Sequence, residues 1–207
     1  ERLFDTFDRF NFTIDENGPE DAEVGVDPEM LSRIFENLLE DNKDKGAFYT
    51  PKEIVEYMCH ESLIAYLGDT PANRDLVTTL DVPDDLATEE RDAVQQKLAA
   101  VKVCDPAIGS GAFPMGMLNI LYRLRHKLNG GEETSDKIVA LKKEIIKNNL
   151  YGVDIEAGAV DIARLRFWLS IVVDETEPIP LPNLDYKILQ GNSLLESYGG
   201  VDLSHVL

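Results

Sequence analysis

The stretch from Val101 to Phe113 constrains this chain more than any other. Val-Lys-Val-Cys reads as a short buried strand, and Asp-Pro-Ala-Ile-Gly-Ser-Gly-Ala-Phe follows it. Gly109 and Gly111 let the backbone turn sharply and approach a ligand that a Cβ would push away. From Gly111 the pattern turns helical, with Met115, Leu118, Ile120, Leu121 and Leu124. A strand, a glycine turn and a helix N-terminus together aim backbone N–H groups and a positive dipole end at one spot. Asp105 adds a carboxylate beside them, so a ligand carrying both a carboxylate and an amine suits the pair. On its own the turn serves equally well as an ordinary strand-to-helix joint. It is neither the dinucleotide fingerprint, because Pro114 stands at the third glycine, nor a Walker phosphate loop.

The remaining elements extend this unit. Asp27-Pro28 opens a helix carrying Leu31, Ile34, Phe35, Leu38 and Leu39 on one stripe. Phe10-Asn-Phe-Thr-Ile14 ahead of it reads as extended. Thr50-Pro51-Lys52-Glu53 has the chemistry of a capping box, followed by a helix with Ile54, Val55, Met58, Cys59 and Leu63. The glycine-led aromatic turn at 46–51 also offers a second polar wall for a ligand. Residues 68–87 read as a loop excursion with room for a short helix, and Thr88 caps a helix with Val94 and Leu98 inward. Residues 135–148 form a helix with Ile138, Leu141 and Ile145 inward and Lys142, Lys143 and Lys147 toward its C-terminal end. Leu150–Asp154 is a second strand. The helix after Glu156 is apolar nearly all round and is expected between the sheet and the N-terminal helices. Pro178–Pro182 is an extended connector, and Tyr186–Gln190 is a third strand ending in Gly191-Asn-Ser-Leu194.

Strands separated by helical crossovers imply an α/β fold with a parallel sheet, whose ligands sit outside the carboxyl ends of the strands. Three such ends carry polar turns: Asp105 with its glycines, Asp154, and Gly191-Asn192. A carboxylate at the second is placed for two ribose hydroxyls, and Asn192 for a base edge. The set describes a nucleoside joined to an amino-acid-like tail. The division expected is an N-terminal helical region over 1–100 and an α/β domain over 101–207.

The totals limit the partners. A net charge of −19 argues against this stretch alone gripping a phosphate backbone. No apolar run is long enough for a bilayer, and no signal peptide opens the chain, so a cytoplasmic location is expected. Cys59 and Cys104 lie in apolar contexts and read as buried reduced thiols, with no metal-binding spacing. Glu1 in place of Met implies that the natural chain starts further upstream.

Four stretches in this order carry a resemblance: Phe48-Tyr-Thr-Pro51, Asp105-Pro-Ala-Ile-Gly-Ser-Gly-Ala-Phe113, Gly152-Val-Asp-Ile155 and Gly191-Asn-Ser-Leu194. Together they resemble the N6-adenine DNA methyltransferases of the fused type II restriction–modification kind, over most of residues 28–195. The resemblance implies a Rossmann-like methyltransferase fold and S-adenosylmethionine as cofactor. The cofactor-binding positions it implies are Phe48, Tyr49, Thr50, Asp105, Pro106, Ala107, Gly109, Gly111, Phe113, Asp154, Ile155, Asn192 and Ser193. Gly109, Gly111 and Thr50 would hold the methionine carboxylate, and Asp105 would face the amino group. Asp154 would take the ribose hydroxyls, Ile155 would pack on the adenine and Asn192 would meet its amino edge. The family often has Cys where Ile108 stands and Asp where Asn192 stands.

The catalytic Asn-Pro-Pro-Tyr turn of that family, which receives the flipped adenine, occurs nowhere between Glu1 and Leu207. The expectation is therefore a cofactor-binding front that does not transfer methyl groups alone and meets double-stranded DNA through regions outside this chain. Two other readings stay open: the cofactor half of an RNA or protein methyltransferase, and a non-catalytic nucleoside-binding module.

Overall fold

The glycine turn does join a strand to a helix. A computed structural model describes residues 50–83, 85–131, 134–174, 184, 186–195, 197–198 and 201–202. The expected extended segment at 10–14, the helix after Asp27 and the Pro178–Pro182 connector lie outside the described residues.

Three helices come first: α1 (Lys52–Leu67), α2 (Pro71–Thr79) and α3 (Thr88–Ala100). The short helix allowed for within the 68–87 excursion is thus present as α2. Thr70 caps it, accepting the Asn73 N–H at 3.2 Å, and Pro71 fills its first position. Thr88 begins α3 instead of capping it, since the capping residue is Ala87. Leu98 is fully buried and Val94 half-buried, as their spacing predicts.

The central unit follows as β1 (Val103–Asp105), α4 (Ala112–Leu128), α5 (Ser135–Asn148), β2 (Leu150–Asp154), α6 (Ala157–Val172) and β3 (Ile188–Gln190). The sheet order is β1-β2-β3 and both pairings are parallel, with Asp105 beside Gly152 and Asp154 beside Gln190. This Rossmann-like half-sheet puts all three carboxyl ends on one rim. A short antiparallel pair, β4 (Ser197–Tyr198) and β5 (Val201–Asp202), comes after β3 and was not expected. Its signal was legible, because a Gly-Gly pair between two short runs reads in sequence as a hairpin signal.

The core lies around α4, where Met117, Leu118, Leu121 and Leu124 are buried. α1 packs on it, with Val55 and Cys59 against Gly116. Asn149, fully buried, ties α3 to the sheet: its amide donates to the carbonyls of Leu98 (3.3 Å), Ala99 (3.0 Å) and Val101 (2.8 Å). Those carbonyls end a helix and have no helical partner, so the amide supplies what the ladder cannot.

Two expectations about side chains are corrected. On α5 the buried stripe is Val139, Lys142, Ile145 and Ile146, while Ile138 and Leu141 are half-buried. Lys142 is therefore a core residue, not a solvated one. Among the described residues α6 packs on β2, β3, α4 and α5, and the helix after Asp27 that it was expected to meet lies outside them. Cys59 is buried, but Cys104 is exposed, because β1 is an outer strand of this sheet among the described residues.

Candidate functional site

The site grows from the end of β2. Gly152 sits in mid-strand beneath Ile108, and a Cβ there would lie 2.2 Å from Ile108 Cδ1. A Cβ that close would force the Ile108 side chain to shift, so the glycine lets the 106–111 turn fold down over β2 as it stands. The turn is then fixed by the Ile108 N–H donating to the Val153 carbonyl at 2.9 Å. Gly111 takes φ 87°, left-handed backbone that favours glycine, and opens α4 as its capping residue.

Asp154 joins two of the three loops. Its Oδ2 accepts the Gly109 N–H at 2.8 Å and its Oδ1 accepts the Glu156 N–H at 2.9 Å. Its own carbonyl accepts the Gly191 N–H at 2.8 Å, which brings in the third loop. Ser193 donates its hydroxyl to the Pro106 carbonyl at 2.7 Å, stitching the first loop to the third. Asp105 accepts the Ala107 N–H at 3.0 Å. Asn192 folds back, its Oδ1 accepting the Leu194 N–H at 3.0 Å. Ile155 stands beside Asp154 with 67% of its surface exposed, an apolar platform at a polar rim.

The structure thus brings together Asp105, Pro106, Ala107, Gly109, Gly111, Phe113, Asp154, Ile155, Asn192 and Ser193. Phe48 and Tyr49 lie outside the described residues. Thr50 does not cap α1. The capping residue is Pro51, with no side-chain cap bond, and its carbonyl accepts the Ile54 and Val55 N–H groups. The Thr50 side chain is therefore not committed to a helix cap. α1 is attached near the glycine turn by Cys59, whose thiol donates to the Phe113 carbonyl at 3.5 Å.

The donor set differs from the simple expectation for a glycine turn. The Gly109 N–H is held by Asp154, and the Gly111 N–H closes the turn on the Ile108 carbonyl at 2.9 Å. The N–H groups opening the first turn of α4, ahead of its ladder, belong to Ala112 and Phe113. Ala112 was not singled out from the sequence, although its position just after the last glycine of the turn is the signal that could have found it.

Two carboxylates share this rim. Burial pushes the Asp105 carboxyl above its ordinary range, the Ala107 N–H pulls it back, and the Asp154 charge pushes it up again. A bound ammonium would relieve both effects. Burial likewise pushes the Cys59 thiol up to about 12, with Glu56 and Asp105 acting in the same direction, so this thiol is inert.

A carboxyl whose pKa is raised by folding holds its proton more tightly in the folded chain. Its contribution to stability is complete below the ordinary value of 3.8 and is lost as pH rises through the raised one. At neutral pH the ionised Asp105 therefore opposes folding. Asp105→Asn is expected to unfold at a higher temperature than the unaltered protein at pH 7, the gap closing toward pH 4. Thermal scans across pH check this, and a gap independent of pH would contradict it.

Two supporting residues are not visible as such in the sequence. Arg166 donates Nη1 to the Ser110 carbonyl at 3.0 Å, and Ala163 Cβ lies 3.2 Å from where a Cβ on Gly111 would stand. The one hint is a charge inside the otherwise apolar Leu165–Leu169 run. Among the described residues no group of His, Cys, Asp or Glu could hold a metal ion, and no helix is long and apolar enough to cross a membrane.

The chain is similar in sequence to known proteins. The family described as the DNA-methyltransferase domain of MmeI matches residues 84–177. A protein of Methanocaldococcus jannaschii, named as a putative type II restriction enzyme and methyltransferase, is 29% identical over 216 residues. That alignment covers 91% of this chain, and the chain spans 18% of the length of that relative.

Proposed function

We propose that the chain carries a methyltransferase domain of the type found in type II restriction–modification enzymes, and that it binds S-adenosylmethionine for methylation of adenine N6 in DNA. The observation that carries the reading is the junction of three loops at Asp154, with its 2.8 Å bond to the Gly109 N–H and its 2.8 Å bond from the Gly191 N–H. In the proposed arrangement the methionine carboxylate meets the N-terminus of α4 at Gly109–Phe113, with Pro106 and Ala107 shaping the turn. Its ammonium faces Asp105. The ribose hydroxyls bind Asp154, and the adenine rests on Ile155 with Asn192 and Ser193 at its edge. Phe48, Tyr49 and Thr50 close the other wall. The cofactor, when bound, supplies an electrophilic methyl group on a sulfonium.

Residues 101–207 form the cofactor-binding α/β domain in this reading, and residues 1–100 a helical region in front of it. Without an Asn-Pro-Pro-Tyr turn the stretch has no group to orient an adenine amine, so it binds the methyl donor and does not use it alone. A net charge of −19 puts the DNA-gripping surface elsewhere in the full protein.

The test is product identity. The full-length protein is incubated with DNA and S-adenosylmethionine labelled in its methyl group, and the digested nucleosides are separated by mass spectrometry. Label in N6-methyladenine supports the reading. Label in a methylated cytosine, or in RNA or protein and not in DNA, refutes the adenine assignment.

A further inference from the structure

We propose that Arg166 is a positioning residue that makes the glycine turn selective for a nucleoside carrying an amino-acid carboxylate. The inference rests on the cofactor reading above and deepens it. Arg166 lies on α6, is 6% exposed, and donates Nη1 to the Ser110 carbonyl at 3.0 Å. One turn earlier on the same helix, Ala163 abuts Gly111, where an added Cβ would come within 3.2 Å of the Ala163 Cβ and 3.4 Å of its Cα. The Ser110–Gly111 peptide is thereby fixed at both ends: its carbonyl by a guanidinium, its α-carbon by a methyl-sized wedge.

That peptide is the last but one before α4, separated from the helix only by the Gly111–Ala112 peptide. Its orientation sets the direction of the Ala112 and Phe113 N–H groups, which open the helix ahead of its hydrogen-bond ladder. A guanidinium stays charged at any working pH, and a bond from a charged donor is stronger than one between neutral groups. Arg166 therefore does two things at the carboxylate end of the site. It holds the backbone donors at fixed direction, and it places a positive charge behind them. Neither acts at the other end, where Asp154 and Ile155 sit at the tip of β2. α6 begins directly after those residues, so one helix links the two ends of the proposed ligand.

The test compares two nucleosides in calorimetric titrations of the full-length protein. S-adenosylhomocysteine carries the carboxylate and the amine; 5′-methylthioadenosine has the same adenine and ribose and neither charged group. Arg166→Met is expected to weaken S-adenosylhomocysteine by at least about tenfold while changing 5′-methylthioadenosine by less than about threefold. Arg166→Lys keeps the charge without the planar fork and is expected to fall between. Equal losses for both nucleosides would show a merely structural role and overturn the proposal, as would no loss for either. If Arg166→Met does not fold by circular dichroism, Arg166→Lys serves for the same comparison: a selective loss of S-adenosylhomocysteine supports the proposal, and equal or absent losses overturn it. If the unaltered protein does not bind S-adenosylhomocysteine at all, the cofactor reading itself fails and this inference falls with it.

Discussion

Asp154→Ala is expected to weaken S-adenosylhomocysteine binding by about 1.5–3 kcal/mol, or roughly 10- to 150-fold in Kd. The size follows from how the carboxylate is used. An ionised carboxylate offers about four acceptor positions. In the structure each oxygen takes one backbone donor, the Gly109 N–H on Oδ2 and the Glu156 N–H on Oδ1. One position on each oxygen is left, which is the pattern two vicinal hydroxyls require. Alanine removes those two and also frees the Gly109 end of the turn. Asp154→Asn is not a gentle alternative, because its NH₂ group would face one of the two backbone N–H donors. Both variants are expected to lose affinity by similar amounts in calorimetry. An unchanged affinity in either would take Asp154 out of the site.

Asp174→Ala is expected to destabilise the fold by about 3 kcal/mol, the low end for breaking a buried ion pair, because it strands a cation. Lys142 is buried on α5 and its ammonium bonds Asp174 Oδ2 at 2.6 Å, with the Ser170 carbonyl at 3.3 Å and the Tyr122 ring at 5.1 Å. Asp174 is 23% exposed in its side chain, so water relieves part of the loss. For a unit of this size the unfolding midpoint should fall by roughly 6–12 °C. Lys142→Met removes the charge and keeps most of the volume, so its cost should be much smaller. The double variant Lys142→Met with Asp174→Ala should recover most of the midpoint, since no buried charge is then left alone. Equal effects of the two single variants would mean the pair is held as a surface contact. The pair also bears on the site, because it fastens the C-terminal end of α6 to α5, and α6 backs the glycine turn through Ala163 and Arg166.

Much of this arrangement is legible in the residues. Glycine turns and carboxylates at strand ends are local chemistry, and the extents of α4, α5 and β2 follow from period and punctuation. The burial of Lys142 is not legible, because its partner lies 32 residues away and no local pattern distinguishes a lysine that will be paired from one that will be solvated. The exposure of Cys104 is hidden for a related reason: an apolar strand reads as buried unless its neighbours are known, and β1 has a strand on one side only among the described residues. Thr50 reads as a cap because its chemistry is right. The backbone starts α1 at Lys52, with Pro51 at φ −56° and ψ 146° as the capping residue, so Thr50 stands one position too early. Arg166 gives no sign of its role because the Ser110 carbonyl it serves is 56 residues away.

The most direct measurement is a crystal structure of the full-length protein with S-adenosylhomocysteine. The expected density lies along the rim of the sheet, with the carboxylate at the start of α4, the ribose on Asp154 and the adenine over Ile155. A competing location exists in the groove lined by Arg125, His126, Asn129, Lys137 and Glu144, about 25 Å away at the other end of α4. Ligand found there, with the loops around Asp154 empty, would contradict a cofactor site built from the three strand ends.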